Sequence, residues 1–135
     1  YGSALVNLLR AAGYDVYAEY YVNDAGSQIA HLAESINARY LQLLGKDADV
    51  PEDGYHGYDI VETAKSLIDR EGDAYLSMDE EARLKVFKTV ALNEKLSILK
   101  KDLADFHVTF DNWFSEKSLY PKQVDDALDI LKKDG

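Results

Sequence analysis

The chain has no cysteine among its 135 residues. That excludes a disulfide framework, a thiolate metal site and a cysteine nucleophile. Long hydrophobic runs are missing as well. Stretches such as Ala4-Leu5-Val6 fall far short of the roughly 18 apolar residues a membrane span requires. No charged-then-apolar leader opens the chain, so secretion is not indicated and a cytoplasmic location is expected. Methionine occurs once, at Met78, so Tyr1 is not expected to be a translation start and the chain is expected to be an internal piece of a longer protein. Basic residues are outnumbered, 15 against 25 acids, for a net charge of −10. This argues against a general nucleic-acid platform, because phosphate binding is driven by Lys and Arg displacing counterions. A local exception runs from Arg83 to Lys101, where Arg83, Lys85, Lys88, Lys95, Lys100 and Lys101 face a single Glu94. It reads as a solvated helix face, or as a nucleic-acid backbone contact in a longer parent.

What is present describes a globular, helix-rich domain. The hydrophobic fraction of 47% and the charged fraction of 30% suit a single folded domain able to bury a core. Leu5, Leu8, Leu9 and Ala12 recur at helical spacing, with Gly13 placed for a left-handed cap. Tyr14 to Val22 is rich in aromatic and β-branched residues and is expected to be a strand. Asn23-Asp24 offers an N-cap for a helix carrying Ile29, Leu32, Ala33, Ile36, Tyr40 and Leu43 as far as Gly45. Lys46 to Gly57 has loop composition. A further helix is expected over Tyr58 to Arg70, closed by Gly72. Ser77 and Glu80 have capping-box spacing at the start of a long helix. Its apolar stripe changes phase near Thr89–Asn93, which predicts a bend or packing against two neighbours. His107 to Asp111 reads as a second short strand. Asn112 to Pro121 reads as a loop before a last amphipathic helix carrying Val124, Ala127, Leu128 and Leu131.

Motifs that carry chemistry are sparse. His31, His56 and His107 form no metal-binding pair at helical spacing, and no metal site is expected. Nucleophile-elbow, Walker and dinucleotide-binding glycine motifs are absent. Acidic pairs such as Asp79-Glu80 and Asp125-Asp126 fall in expected first helical turns, where they complement the helix dipole. One segment stands apart, Asn23-Asp24-Ala25-Gly26-Ser27-Gln28. It follows a strand and opens a helix, the place where open α/β sheets bind ligands beyond a strand's carboxyl end. Asp24 is there either a helix cap or a carboxylate aimed at a cationic or amino-bearing ligand.

The same segment carries a family resemblance. Tyr14 to Gln28, Y-D-V-Y-A-E-Y-Y-V-N-D-A-G-S-Q, resembles the strand and turn that follow the first nucleotide-binding helix of bacterial-type arginyl-tRNA synthetases. Ala38 to Gly45 (A-R-Y-L-Q-L-L-G), Pro51 to Ile60 (P-E-D-G-Y-H-G-Y-D-I) and Phe110 to Tyr120 (F-D-N-W-F-S-E-K-S-L-Y) resemble the same family in the same order. The likeness runs from Tyr1 to Gly135. Some positions depart from it. Tyr17-Ala18 stands where many relatives have a hydroxyl residue and Arg, Ser27 where Asn is frequent, Tyr58 where Glu is frequent, and His107 where Gly is frequent.

The resemblance implies an α/β, helix-rich piece of a Rossmann-type class I synthetase catalytic domain, with few short strands and about five helices. Residues 1–135 would form one fragment of that nucleotide-binding domain. The H-x-G-H segment would lie upstream, and the K-M-S-K-S-like loop and anticodon-binding part downstream. The implied parent enzyme, an arginine–tRNA ligase, activates L-arginine with ATP and Mg2+ and transfers it to the 3′ end of its tRNA. Adenylation relies on positioning and charge neutralisation at the phosphates. The fragment alone is therefore expected to be inactive, with no catalytic residue of its own and no cofactor bound. Substrate-pocket lining carries over to Asn23, Asp24, Gly26 and Gln28. Residues that fork the guanidinium directly are expected outside this chain. Trp113 and Phe114 read as core aromatics or, alternatively, as a base-stacking platform. Exposed sheet edge and apolar surface predict self-association of the fragment. The alternatives are a helix-rich protein-interaction module and a class I synthetase for another amino acid.

Overall fold

The computed structural model describes residues 1–134. Helix α1 spans Gly2–Ala11, strand β1 Glu19–Val22, α2 Ser27–Leu43, α3 Tyr58–Glu71, α4 Glu80–Asp105, strand β2 Asn112–Ser115 and α5 Lys122–Asp134. Two 3-10 turns, Ala74–Ser77 and Glu116–Leu119, precede α4 and α5. The chain folds as two compact units, Tyr1–Ala25 with Leu99–Gly135, and Gly26–Ile98. The expectation of a helix-rich chain with few short strands holds among the described residues.

The unit Gly26–Ile98 is built by α2, α3 and the first part of α4. Leu32, Ala33, Ile36 and Tyr40 of α2 meet Ile60, Ala64 and Leu67 of α3, and Phe87 and Ala91 of α4. Tyr40, Tyr75 and Phe87 pack edge to face, with Tyr40 and Phe87 centroids 5.1 Å apart. The buried Tyr40 hydroxyl donates to the Gly72 carbonyl at 2.9 Å, which ties α2 to the end of α3. Arg83 is buried too. Its guanidinium donates to Asn37 Oδ1 at 2.7 Å and to the Met78 carbonyl at 3.2 Å, so neutral acceptors satisfy it. The 46–57 loop is pinned by Ser35, whose Oγ accepts the Tyr55 N–H at 2.8 Å and donates to the His31 carbonyl.

The second unit holds a two-stranded parallel sheet, with Glu19 opposite Asn112 and Val22 opposite Ser115. Both strands are shorter than, or displaced from, the expectation. Tyr14 to Ala18 lies outside the ladder because β2 offers four residues to pair with. The Ala18 N–H donates instead to Asp111 Oδ2 at 2.7 Å, and Arg10 Nη2 clamps the same carboxylate oxygen at 2.8 Å and the Val16 carbonyl at 2.9 Å. The predicted strand His107–Asp111 is corrected to Asn112–Ser115. His107 and Val108 are used to end α4, donating to the Ala104 and Leu103 carbonyls at 2.8 Å each. His107 adopts φ of 59°, the left-handed cap conformation that glycine takes at least cost.

Two caps also differ from expectation. The cap residue of α2 is Gly26 and carries no side-chain bond, because Asp24 is engaged elsewhere. Asp79, not Ser77, caps α4: its Oδ1 accepts the Ala82 N–H at 2.9 Å, while Ser77 Oγ turns back to the Ala74 carbonyl. Gly13, Gly45 and Gly72 stand at the expected helix ends with positive φ. Helix α4 runs continuously from Glu80 to Asp105 across the phase change in its apolar stripe. Its residues to Ile98 belong to one unit and those from Leu99 to the other.

Candidate functional site

A parallel ladder leaves the carboxyl ends of its strands side by side, and the residues that follow each strand project there. After β1 come Asn23 and Asp24; after β2 come Glu116 and Lys117. Asp24 is buried at 6% exposure, whereas Asn23 is exposed. Asp24 Oδ2 accepts the Ser115 hydroxyl at 2.6 Å, and Oδ1 accepts the Lys117 backbone N–H at 2.9 Å. Burial pushes the carboxyl upward, but these donors, its own N–H and the nearby Lys117 charge outweigh that and hold it below its ordinary value. Asp24 is therefore ionised and internally bonded, and it is not the helix cap that its sequence position suggested.

Tyr21, Glu116 and Tyr120 gather around the same strand ends. The Tyr21 phenol is pushed above its ordinary value, first by partial loss of water, then by its hydrogen bond to Glu116 and the charges of Glu116, Tyr120 and Asp24. Glu116 is half-buried and has no ion-pair partner among the described residues. A carboxylate in that position suits a guanidinium or ammonium group. Sequence reasoning passed over Glu116. Its signal was a carboxylate directly after an aromatic, β-prone run, hidden because that run read as loop.

The expected site residues divide between the two units. Asn23 and Asp24 belong with β1. Gly26 and Gln28 open α2 in the other unit, Gly26 with φ of −75° and Gln28 exposed. The Gly26 conformation is open to any residue, so backbone strain does not require glycine there.

The aromatic pair after Phe110 is part of this sheet. Trp113 stacks on Tyr20 at 4.5 Å with Phe110 edge-on, and the Lys100 ammonium lies 4.8 Å from the Trp113 ring centre. This is a packed cluster, in keeping with the core reading of Trp113. The basic stretch of α4 is similarly engaged. Lys85 pairs with Glu81 at 2.7 Å, Lys95 with Asp59 at 2.5 Å and Lys101 with Asp105 at 2.7 Å, while Arg83 is buried. That favours the solvated-face reading. No group of three or more His, Asp or Glu that could hold a metal ion occurs among the described residues. Among the described residues, no helix is long and apolar enough to cross a membrane.

No family model matches the chain. Full-length relatives do. It is 51% identical over 135 residues to an arginine–tRNA ligase of Anoxybacillus flavithermus and 52% identical over 135 residues to one of Geobacillus kaustophilus. Each alignment takes in 99% of this chain and 24% of the relative, so the chain spans about a quarter of the length of the curated relatives it matches. Among solved structures, a Campylobacter jejuni protein described as an arginyl-tRNA synthetase superposes with a TM-score of 0.83 at 33% identity, covering 98% of this chain and 29% of that one.

Proposed function

We propose, for a chain that is homologous from end to end to one segment of the arginine–tRNA ligases, that it supplies part of the amino-acid pocket of such an enzyme. The whole protein would activate L-arginine with ATP and pass it to the 3′ end of its tRNA in the cytoplasm, and the segment would belong to its Rossmann-type catalytic domain. The observation that carries this reading is the strand-end arrangement. Two parallel strands finish together with an exposed amide, Asn23, and a carboxylate, Glu116, that has no ion-pair partner among the described residues, beside an ionised Asp24. Open α/β sheets bind ligands at such carboxyl ends.

In this reading Asn23 lines the pocket, and Glu116 meets the guanidinium, which forks onto a carboxylate through two parallel N–H donors. Asp24 lines the turn from within. Gly26 and Gln28, in the other unit, are proposed as substrate-lining residues on resemblance alone. ATP and Mg2+ are assigned to the whole protein. The described residues form no group of three or more acidic or histidine side chains that could hold a metal ion. The segment by itself is proposed to be inactive and to bind arginine weakly. It is also proposed to self-associate through apolar side chains exposed on α1 and α5, such as Leu8, Ile130 and Leu131. Sedimentation as a monomer at every concentration would count against that last point.

The names of the relatives weigh against a free-standing interaction module and against another amino acid. Amino-acid-dependent adenylate formation by the full-length protein, measured over a panel of amino acids, tests the reading. Arginine is the expected preference, and any other would overturn it. Glu116→Gln in the same protein is expected to raise the arginine KM by about tenfold or more, as loss of a charge-assisted bond predicts.

A further inference from the structure

Asp24 is an unusual residue to find in the turn of a ligand site, because its carboxylate has no free face toward solvent. It is 6% exposed, and each oxygen is already taken: Oδ2 by the Ser115 hydroxyl at 2.6 Å, Oδ1 by the Lys117 N–H at 2.9 Å. The parallel ladder stops at Val22 opposite Ser115. Beyond that rung the strands have no backbone bond to hold them, since β1 turns away and β2 enters the 3-10 turn Glu116–Leu119. The Asp24 carboxylate supplies the missing rung from a side chain. Both donors lie on the β2 side, on the two residues that flank Glu116. Turning the carboxylate toward a ligand would take from the Lys117 N–H and the half-buried Ser115 hydroxyl the partner they hold in the folded chain, at the cost of two charge-assisted hydrogen bonds.

We propose that Asp24 and Ser115 are a positioning pair that fixes Glu116 relative to Asn23, so that amino-acid recognition depends on a serine and an aspartate that do not touch the substrate. The inference rests on the reading of Glu116 and Asn23 as pocket residues. It makes Ser115 a specificity-supporting residue and moves Asp24 from ligand contact to scaffold. A charge-assisted bond is shorter and stronger than a neutral one, and a misplacement of about 1 Å is enough to spoil a forked guanidinium contact.

The test is steady-state adenylate formation by the full-length enzyme carrying Ser115→Ala, Ser115→Thr, Asp24→Asn or Glu116→Gln, and the Ser115→Ala/Glu116→Gln pair, with thermal unfolding of each. Ser115→Ala and Asp24→Asn are expected to raise the arginine KM by about tenfold while kcat and the ATP KM stay within about twofold. Ser115→Thr, which keeps the hydroxyl, is expected to restore the arginine KM. The double variant should be no more than about twofold worse than Glu116→Gln alone, because the group being positioned is already lost. If Ser115→Ala leaves the arginine KM within about twofold of the unsubstituted enzyme while Glu116→Gln raises it, positioning is wrong and the pocket reading stands. If Glu116→Gln itself has no effect on the arginine KM, the pocket reading falls and takes the positioning pair with it. Equal rises in the arginine and ATP KM, with a lowered unfolding temperature, would mean a plain structural bond and would also overturn the proposal.

Discussion

At the scale of single residues, Asp24 links the site to acid stability. Its folded pKa lies below the ordinary value of 3.8, so the unfolded chain binds the proton more tightly. The stabilisation is complete above the unfolded value and is lost as pH falls through the lower folded one. Between about pH 5 and pH 2, Asp24→Asn is expected to flatten the loss of stability seen by chemical denaturation; an unchanged slope would show that other carboxylates set it. Two backbone positions make sharper predictions. His107 holds φ of 59°, a conformation that costs a residue with a Cβ about 1 kcal/mol or more. His107→Gly should therefore raise the unfolding free energy by about 1 kcal/mol, read from denaturant unfolding. Gly54 shows the opposite case. A Cβ there would sit 2.7 Å from Ser35 Oγ and 2.8 Å from the Pro51 carbonyl. Because Ser35 Oγ is fully bonded and buried, Gly54→Ala is expected to destabilise by about 1–3 kcal/mol, and an unfolding midpoint equal to that of the unsubstituted chain would refute the close approach.

At the scale of elements, α2 supplies more of the core of its unit than either α3 or α4. Of the stripe Ile29, Leu32, Ala33, Ile36, Tyr40 and Leu43 read from spacing alone, Leu32, Ala33, Ile36 and Tyr40 form the buried face and Leu43 is exposed. Tyr40 adds a polar bond that spacing does not reveal, its hydroxyl to the Gly72 carbonyl. Tyr40→Phe is expected to cost about 1 kcal/mol and Phe87→Ala, which empties the aromatic trio, about 3–5 kcal/mol, both by denaturant unfolding. The strands were the least legible elements. β1 and β2 have four residues each, and which four pair is set by contacts about ninety residues apart in sequence. Tyr14 to Ala18 has strand composition yet finds side-chain partners, Arg10 and Asp111, in place of a neighbouring strand. A strand propensity describes a surface that suits pairing; the partner decides whether pairing happens.

At the scale of the whole molecule, charge is the dominant bulk property. A net charge of −10 repels itself, while exposed pairs such as Lys85–Glu81 and Lys101–Asp105 contribute little because water screens them. Salt screens both, but the repulsion is the larger sum. Raising ionic strength from about 0.02 to about 0.2 M is therefore expected to raise the unfolding temperature; a fall would mean that surface pairs outweigh the net charge.

The sequence by itself determined the family likeness, the helix-rich class, the helix-ending glycines and the apolar faces of α2 and α3. Each of these is written in local spacing or in residue identity over contiguous stretches. The tertiary structure alone decided what Asp24 does, where β2 lies and which lysines are engaged. Those outcomes depend on which distant side chain or backbone donor arrives within hydrogen-bond reach. Ser115 and Lys117 are more than ninety positions from Asp24, and no local pattern encodes that meeting.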